Sequence, residues 1–240
     1  MSDAVDLLAL AAHRDDVELT CGGTLAKAVR QGHRVGIVDL TQGETGTRGD
    51  AATRAAEAMR AAETLGVHVR LNAGLPDAHL HNDEASRAVV IELIRRTRPR
   101  VVILPYAAGR HPDHRIAAEL GRDACYLAGL AKYGGPGAAH RPFKILHTLA
   151  YREDPVKPSF VVDISDSFDL KMKAIRCYGS QFDGAKAAGE IHPTGQDLYE
   201  LIQVQAAHYG SLIRRRYGEP YFTPETVMVD DVLQLGVQSL

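Results

Sequence analysis

Four short apolar runs, each followed by a stretch of helical composition, constrain this chain more than any other feature. Val5-Asp6-Leu7-Leu8-Ala9-Leu10-Ala11, His33-Arg34-Val35-Gly36-Ile37-Val38-Asp39-Leu40, Val67-His68-Val69-Arg70-Leu71 and Arg100-Val101-Val102-Ile103-Leu104-Pro105 read as strands. Runs of this kind suit parallel strands covered on both faces. Residues 20–31, 53–65, 83–97 and 113–131 read as helices, with Gly32 and Gly66 as stops and Pro99 ending the third. Strands alternating with crossover helices predict a right-handed, doubly wound α/β fold: a Rossmann-like, mostly parallel sheet with helices on both faces.

The second half is less regular. Gly134-Gly135-Pro136-Gly137 marks a loop, and after it strands are expected at 144–151 and 159–163. Helices are expected at 166–178 and 196–216, and an extended tail near 221–229. With no repeat, low-complexity tract or long linker, the expectation is one domain over 1–240. Within it, residues 1–132 form the Rossmann-like core with the site, and residues 133–240 a smaller α/β completion.

Composition narrows the partners. The chain is 45% hydrophobic, enough for one sizeable core, and its net charge of −2 comes from interspersed Lys, Arg, Asp and Glu. That balance gives no footprint for nucleic acid. The densest basic stretch, Arg214-Arg215-Arg216, falls in a predicted helix and reads as a solvated face or an anion contact. No stretch approaches the roughly 20 apolar residues of a membrane helix. The acidic start, Met1 to Asp6, runs straight into a strand rather than resembling a signal peptide, so the cytoplasm is expected. Cys21, Cys125 and Cys177 are widely spaced without a CxxC pair, which argues against a disulfide framework and a thiolate zinc site. Cys21 is near enough to the first motif below to line a site.

The polar constellations all follow strands. The first strand leads into His13-Arg14-Asp15-Asp16-Val17-Glu18, and the second into Thr41-Gln42-Gly43-Glu44-Thr45-Gly46-Thr47-Arg48-Gly49. The third leads into Gly74-Leu75-Pro76-Asp77, and the fourth into Tyr106 to His114, which includes His111-Pro112-Asp113-His114. Ligands of open α/β sheets bind outside the carboxyl ends of the strands, so these segments share one edge. His13 and Asp16, three apart in a turn, can face one pocket, with a third ligand from His111 or His114. Two imidazoles and a carboxylate leave an open position for water, the pattern of a catalytic metal site. Asp15 can then serve as base. Taken singly, Asp15 or Asp16 could be a helix N-cap, and HPDH a proline-initiated helix start.

These residues carry a family resemblance. The first motif resembles the A-H-P-D-D-E signature of the PIG-L/LmbE-like N-acetylglucosaminyl deacetylases, and HPDH resembles their second signature. Val38-Asp39-Leu40-Thr41, the Gly43–Gly49 loop, Gly74-Leu75-Pro76-Asp77, Tyr209-Gly210-Ser211-Leu212 and Tyr217-Gly218-Glu219-Pro220-Tyr221 resemble the bacillithiol-biosynthesis branch. That branch removes acetyl from N-acetylglucosaminyl malate. The resemblance implies His13, Asp16 and His114 as ligands of Zn²⁺, with Fe²⁺ or Co²⁺ as alternatives. It further implies Asp15 as general base, His111 as a protonated oxyanion stabiliser, and Asp113 as the group that orients an imidazole. Homo-oligomers, trimers or hexamers, are also implied. Two departures stand out: Arg14 replaces the family proline and adds a cation beside the turn, and Val17-Glu18 replaces a glutamate directly after the second aspartate.

A sugar carrying malate is anionic, so an arginine able to grip a carboxylate is expected. Arg48, Arg54 and Arg110 are the candidates, and His192, in the predicted loop Ile191-His192-Pro193-Thr194, is a further substrate contact or a surface residue. Gly43, Gly46 and Gly49 read as loop flexibility, because the lysine of a phosphate-binding loop is missing. Deacetylation of another N-acetylglucosamine conjugate or of a chitooligosaccharide is the near alternative. A non-haem iron oxygenase shares the two-histidine, one-carboxylate set but usually sits on an all-β scaffold. A non-catalytic metal- or sugar-binding protein finds encouragement only in Arg14.

Overall fold

The structure is a computed structural model and describes residues 3–149, 156–183 and 197–237. Its strands are β1 (Leu7–Ala11), β2 (Val35–Thr41), β3 (Val69–Leu75), β4 (Val101–Leu104), β5 (Lys144–Thr148), β6 (Phe160–Asp163) and β7 (Gly218–Phe222). They form one sheet in the order β3-β2-β1-β4-β5-β7-β6. β1 pairs in parallel with both β2 and β4, and β3 and β5 extend the parallel part on either side. β7 lies antiparallel between β5 and β6. The chain runs outward from β1 to β3 and returns to β4 on the other flank, which puts the topological switch point between β1 and β4. Ligands of doubly wound sheets sit at that crevice.

The helices are α1 (Asp16–Arg30), α2 (Ala51–Leu65), α3 (Glu84–Thr97), α4 (Pro112–Ala128), α5 (Phe168–Arg176), the short α6 (Gly179–Phe182) and α7 (Leu198–Leu212). Their ends follow local chemistry. Asp50 and Asp83 cap α2 and α3 by accepting from the Thr53 and Ser86 amides. Gly66, at φ 74°, closes α2 in the left-handed region, and Pro112 opens α4 at its first turn. α1 begins at Asp16, earlier than the expected residue 20, because the first motif is itself the opening turn.

The strand pattern becomes two core layers. On one face Leu8, Leu10, Val38, Leu40, Val102 and Leu104 pack with Val90 and Ile94 of α3 and Leu120 of α4. α4 approaches closely at Gly121, where a Cβ would fall 2.5 Å from Leu104 Cδ2. On the other face Ala9, Ala11, Ile37 and Ile103 meet Val17, Cys21 and Leu25 of α1. Each fully buried aliphatic side chain contributes about 1.5–3 kcal/mol. α5 and α7 complete that side.

The second half departs most from expectation. The extended tail predicted near 221–229 is the strand at 218–222, pinned by Glu219. This buried carboxylate accepts from Lys171 Nζ at 2.6 Å and from the amides of Gly23 and Thr24, while Lys171 also donates to the Leu19 carbonyl. Arg214–Arg216 are not helical. α7 ends at Leu212, Arg214 takes a positive φ of 56°, and Arg215 pairs with Asp163 at 3.2 Å. β5 ends at Thr148, and residues 150–151 of the predicted strand lie outside the described residues. Among the described residues no helix is long and apolar enough to cross a membrane.

Candidate active site

The turn from β1 into α1 and the turn from β4 into α4 meet across the switch point. His13 Nδ1 lies 3.4 Å from Asp16 Oδ2 and 3.3 Å from His114 Nε2, and His114 Nε2 lies 3.2 Å from Asp16 Oδ1. Bonds of about 2.0–2.1 Å arranged tetrahedrally separate neighbouring ligand atoms by about 3.3–3.4 Å, so the three residues fit a divalent ion. Asp16 also accepts the His13 amide at 2.9 Å, which closes the turn on itself.

The far side of the His13 ring explains its orientation. Nε2 faces Asp77 Oδ1 at 3.1 Å and Asp113 Oδ2 at 3.4 Å. These carboxylates hold the ring proton on Nε2 and leave the Nδ1 lone pair toward Asp16 and His114. Asp77 is fixed in turn by the Thr45 amide and hydroxyl, and Asp113 by the Ala78 amide. Asp77 was not among the expected site residues. Its place at the carboxyl end of a strand, on the shared edge, was the available signal.

Charge in this cleft is unbalanced. Burial opposes a charged imidazole at His13, yet Asp113, Asp16 and Asp77 push it up to about 12. His114 is raised in the same way, with Asp16 outweighing burial. Burial also works against Asp16 ionisation, but His114 and His13 hold its carboxyl well below the usual carboxylate range. Carboxylates thus outweigh the fixed cations around the point where the His13, Asp16 and His114 atoms converge.

Asp15 occupies the N-cap position of α1 but makes no capping bond, so its carboxylate is not used as a cap. Burial raises its pKa, and the guanidinium of Arg54 at 3.6 Å pulls the other way. Arg54 is buried, donates to the Gly43 carbonyl at 3.0 Å and turns its Nη2 to Asp15. A Cβ on Gly43 would overlap that guanidinium, and one on Gly46 would crowd it. These two glycines thus clear a slot for Arg54, a steric role beyond the loop flexibility expected of them.

His111 is the N-cap of α4, and its Nδ1 accepts the Asp113 amide at 3.2 Å. That bond places the ring proton on Nε2, and burial lowers the pKa, with His13 and His114 adding to it. Both the bond and the burial favour a ring with its proton on Nε2. It stands 4.9 Å from the rings of both His13 and His114.

Arg14 points away from the ligands. Its Nη1 donates to the Ala51 carbonyl at 2.7 Å, so the expected cation beside the turn is spent on the start of α2. Its own carbonyl accepts from Arg70 Nη2 at 2.7 Å and from the Tyr178 hydroxyl. Arg70 also grips Asp39 with two bonds and Glu18 at 2.7 Å. Burial nevertheless pushes Glu18 up to about 7, against the pull of Arg70. Neither Arg70 nor Tyr178 was singled out from the sequence, because a strand arginine and a scattered tyrosine show no spacing signal.

A cavity of about 500 Å³ opens over this arrangement, bordered by His13, Asp15, Asp16, His111, His114, Asp77, Arg54 and Arg110. Cys21 borders it too, as expected, while Arg48 is outside its lining and His192 lies outside the described residues.

Comparison with known proteins identifies the family. The family model described as PIG-L: GlcNAc-PI de-N-acetylase matches residues 8–125, the segment that holds both motifs. A diacetylchitobiose deacetylase of Thermococcus kodakarensis is 31% identical over 236 residues, covering 91% of this chain and 82% of its own length. The crystal structure of the conserved protein TT1542 from Thermus thermophilus superposes with a TM-score of 0.84 at 37% identity, covering 94% of this chain and 97% of that one. The N,N'-diacetylchitobiose deacetylase of Pyrococcus horikoshii, in complex with an inhibitor, gives 0.75 at 28% identity, covering 91% and 83%. With the likeness running through both ligand turns and nearly the whole sheet, the chain belongs to the PIG-L/LmbE-like deacetylase family.

Proposed function

We propose that this protein is a divalent-metal-dependent deacetylase of N-acetylglucosaminyl conjugates, with zinc as its ion and N-acetylglucosaminyl malate as its substrate. The observation that carries the reading is the convergence of His13 Nδ1, Asp16 and His114 Nε2 at tetrahedral spacing, with Asp15 and His111 on the same cavity. His13, Asp16 and His114 would hold the ion; zinc suits two imidazoles and a carboxylate, and Fe²⁺ or Co²⁺ tolerates them. Bound there, it supplies the Lewis acidity that makes water nucleophilic near neutral pH and polarises the acetamide carbonyl.

The remaining steps belong to side chains. Asp15, aimed by Arg54, takes a proton from the attacking water as the water oxygen bonds to the acetamide carbon. The carbonyl oxygen gains negative charge in the tetrahedral centre, and we assign its stabilisation to the His111 Nε2–H, whose Nδ1 is occupied by the Asp113 amide. Collapse breaks the C–N bond, acetate leaves, and the proton held by Asp15 passes to the amine. Asp77 and Asp113 take no part in bond making; they fix the His13 ring. Arg110, at the exposed rim of the cavity, is the arginine we assign to the malate carboxylates, since Arg54 is committed to Asp15.

A second reading, deacetylation of a chitooligosaccharide, is favoured by the relatives named for diacetylchitobiose. One experiment weighs both: acetate release from N-acetylglucosaminyl malate, N,N'-diacetylchitobiose and N-acetylglucosamine, using protein of measured metal content. The expected result is turnover of the malate conjugate, abolished by a chelator, restored by zinc, and weak on the free sugar. Preference for diacetylchitobiose selects the second reading. No acetate from any substrate with fully metallated protein overturns both.

A further inference from the structure

The turn that carries His13, Asp15 and Asp16 is held from behind at the carbonyl oxygen of Arg14. Asp15 is the N-cap of α1, and its own carbonyl takes a helical bond from the Leu19 amide at 3.2 Å. The Arg14 carbonyl comes one residue earlier, outside that ladder and in a buried residue, so it needs a partner from elsewhere. It receives two: Arg70 Nη2 at 2.7 Å and the Tyr178 hydroxyl. One donor would satisfy the oxygen. Two occupy both of its lone pairs and fix the plane of the peptide that joins Arg14 to Asp15.

Both donors are themselves held. Arg70 uses its guanidinium fully: two bonds to Asp39 at 2.8 Å each, one to Glu18 at 2.7 Å, one to the Ala58 carbonyl at 3.0 Å and one to Arg14. A planar guanidinium spans that set of acceptors, and an ammonium does not. The Tyr178 ring, fully buried just after α5, packs with Ala58, Ala61 and Leu65 of α2. Groups from β2, β3, α1, α2 and the end of α5 thus converge on one peptide, which lies between His13 and the Asp15–Asp16 pair. Arg14, Arg70 and Tyr178 are all outside the lining of the cavity, so they stand behind the site rather than in it.

We propose that Tyr178 and Arg70 are positioning residues of the metal site: through the Arg14 carbonyl they hold His13 and Asp16 at ligand spacing. The inference rests on the metal-dependent reading above and adds two residues to it. Removing one donor leaves the carbonyl with the other, so the turn loosens without the fold opening. The ion must then order the turn as it binds, and that entropy cost is subtracted from its affinity.

The test compares the full chain as wild type, Tyr178→Phe and Ile94→Val by zinc affinity against a competing chelator, Co²⁺ absorption and urea unfolding. Tyr178→Phe keeps the ring and removes only the hydroxyl. Its zinc affinity is expected to fall about 10–100-fold, the usual effect of losing a group that orients a ligand. The visible bands of its Co²⁺ form should shift, since they follow ligand geometry, and kcat should fall with KM unchanged. Ile94→Val trims a buried side chain on the opposite face of the sheet, so it should lower the urea midpoint without moving zinc affinity or the Co²⁺ bands. Arg70→Lys, which keeps the charge but cannot reach every acceptor, should also lose zinc affinity; where it does not fold, Tyr178→Phe decides alone. Wild-type zinc affinity and Co²⁺ bands in Tyr178→Phe, or an equal loss of affinity in Ile94→Val, overturn the positioning role and leave the metal site standing. Wild-type protein that binds no zinc overturns the metal-dependent reading itself.

Discussion

Two of the places where α1 meets buried charge behave in opposite ways. Against its middle, one ammonium meets one carboxylate: Lys171 and Glu219 lie 2.6 Å apart, and the helix amides of Gly23 and Thr24 and the Leu19 carbonyl take up their remaining bonds. At its start, Asp15, Asp16, Asp77 and Asp113 crowd around His13 and His114, and Arg54 is the guanidinium paired there. The first cluster is complete without help. The second drives protons onto imidazoles, His13 up to about 12, because it lacks positive charge. Balanced buried charge needs no further partner and is costly only when one member is removed, whereas unbalanced, convergent charge marks a place for something from outside.

Removing one group from each cluster breaks the comparison most directly. His114→Ala leaves two of the three proposed ligands, so bound metal and turnover should both drop to the level of chelator-treated protein, with the fold intact by circular dichroism. A variant that keeps its metal and its rate would place the ion elsewhere. Asp15→Asn comes next. It keeps the shape beside Arg54 but cannot take a proton, so kcat should fall about 10²–10⁴-fold while metal content stays at the wild-type level. Unchanged turnover would remove Asp15 from the role of base.

The balanced pair should respond in stability instead. Lys171→Met leaves Glu219 buried without its cation, an expected loss of about 3–5 kcal/mol in urea unfolding. Turnover per folded molecule should stay close to wild type. Adding Glu219→Gln should recover part of the loss by removing the unpaired charge; the Gly23 and Thr24 amides bond different carboxylate oxygens, so one of them loses its acceptor. If Lys171→Met instead lowered kcat without lowering stability, the division between the two clusters would fail.

The sequence showed the unbalanced cluster better than the balanced one, for a physical reason. Strand ends are legible from apolar runs, and the switch-point rule then gathers His13, Asp16, His111 and His114 on one edge before any coordinates are known. Asp77 and Asp113 follow from the same rule, but their grip on one His13 nitrogen depends on distances that no spacing encodes. Arg54 reads from the sequence as a grip for a substrate carboxylate; only the fold shows its pairing with Asp15 in the slot that Gly43 and Gly46 clear for it. β7 was misplaced because Pro220 weakens it as a strand, and its pairing with β5 and β6 is tertiary. Arg214–Arg216 were read as helix because the apolar pattern continues through Ile213, while the chain turns at Arg214 to bring Gly218 back beneath Gly210.

His147 offers the finest test, because it is buried with neither arrangement around it. It sits on β5, its Nδ1 donating to the Pro105 carbonyl at 2.9 Å, and burial lowers its pKa despite that bond. Above pH 6.5, the ordinary histidine value, the ring is neutral in both folded and unfolded chains and pH has no hold on it. Below 6.5 the unfolded chain takes up a proton that the folded chain resists, so stability present at neutral pH is lost as the pH falls toward the lowered folded value. The histidines of the metal-free cleft carry the opposite sign: with His13 and His114 raised, their contribution is present below 6.5 and is lost as pH rises. His147→Gln can keep the bond to Pro105 through its side-chain amide and removes only the titration. Urea midpoints at pH 7.5 and 5.5, measured on metal-loaded protein where the cleft is satisfied, should show a smaller acid loss in the variant than in wild type, the least of the four effects. Equal losses would assign the acid sensitivity to the carboxylates of the cleft instead.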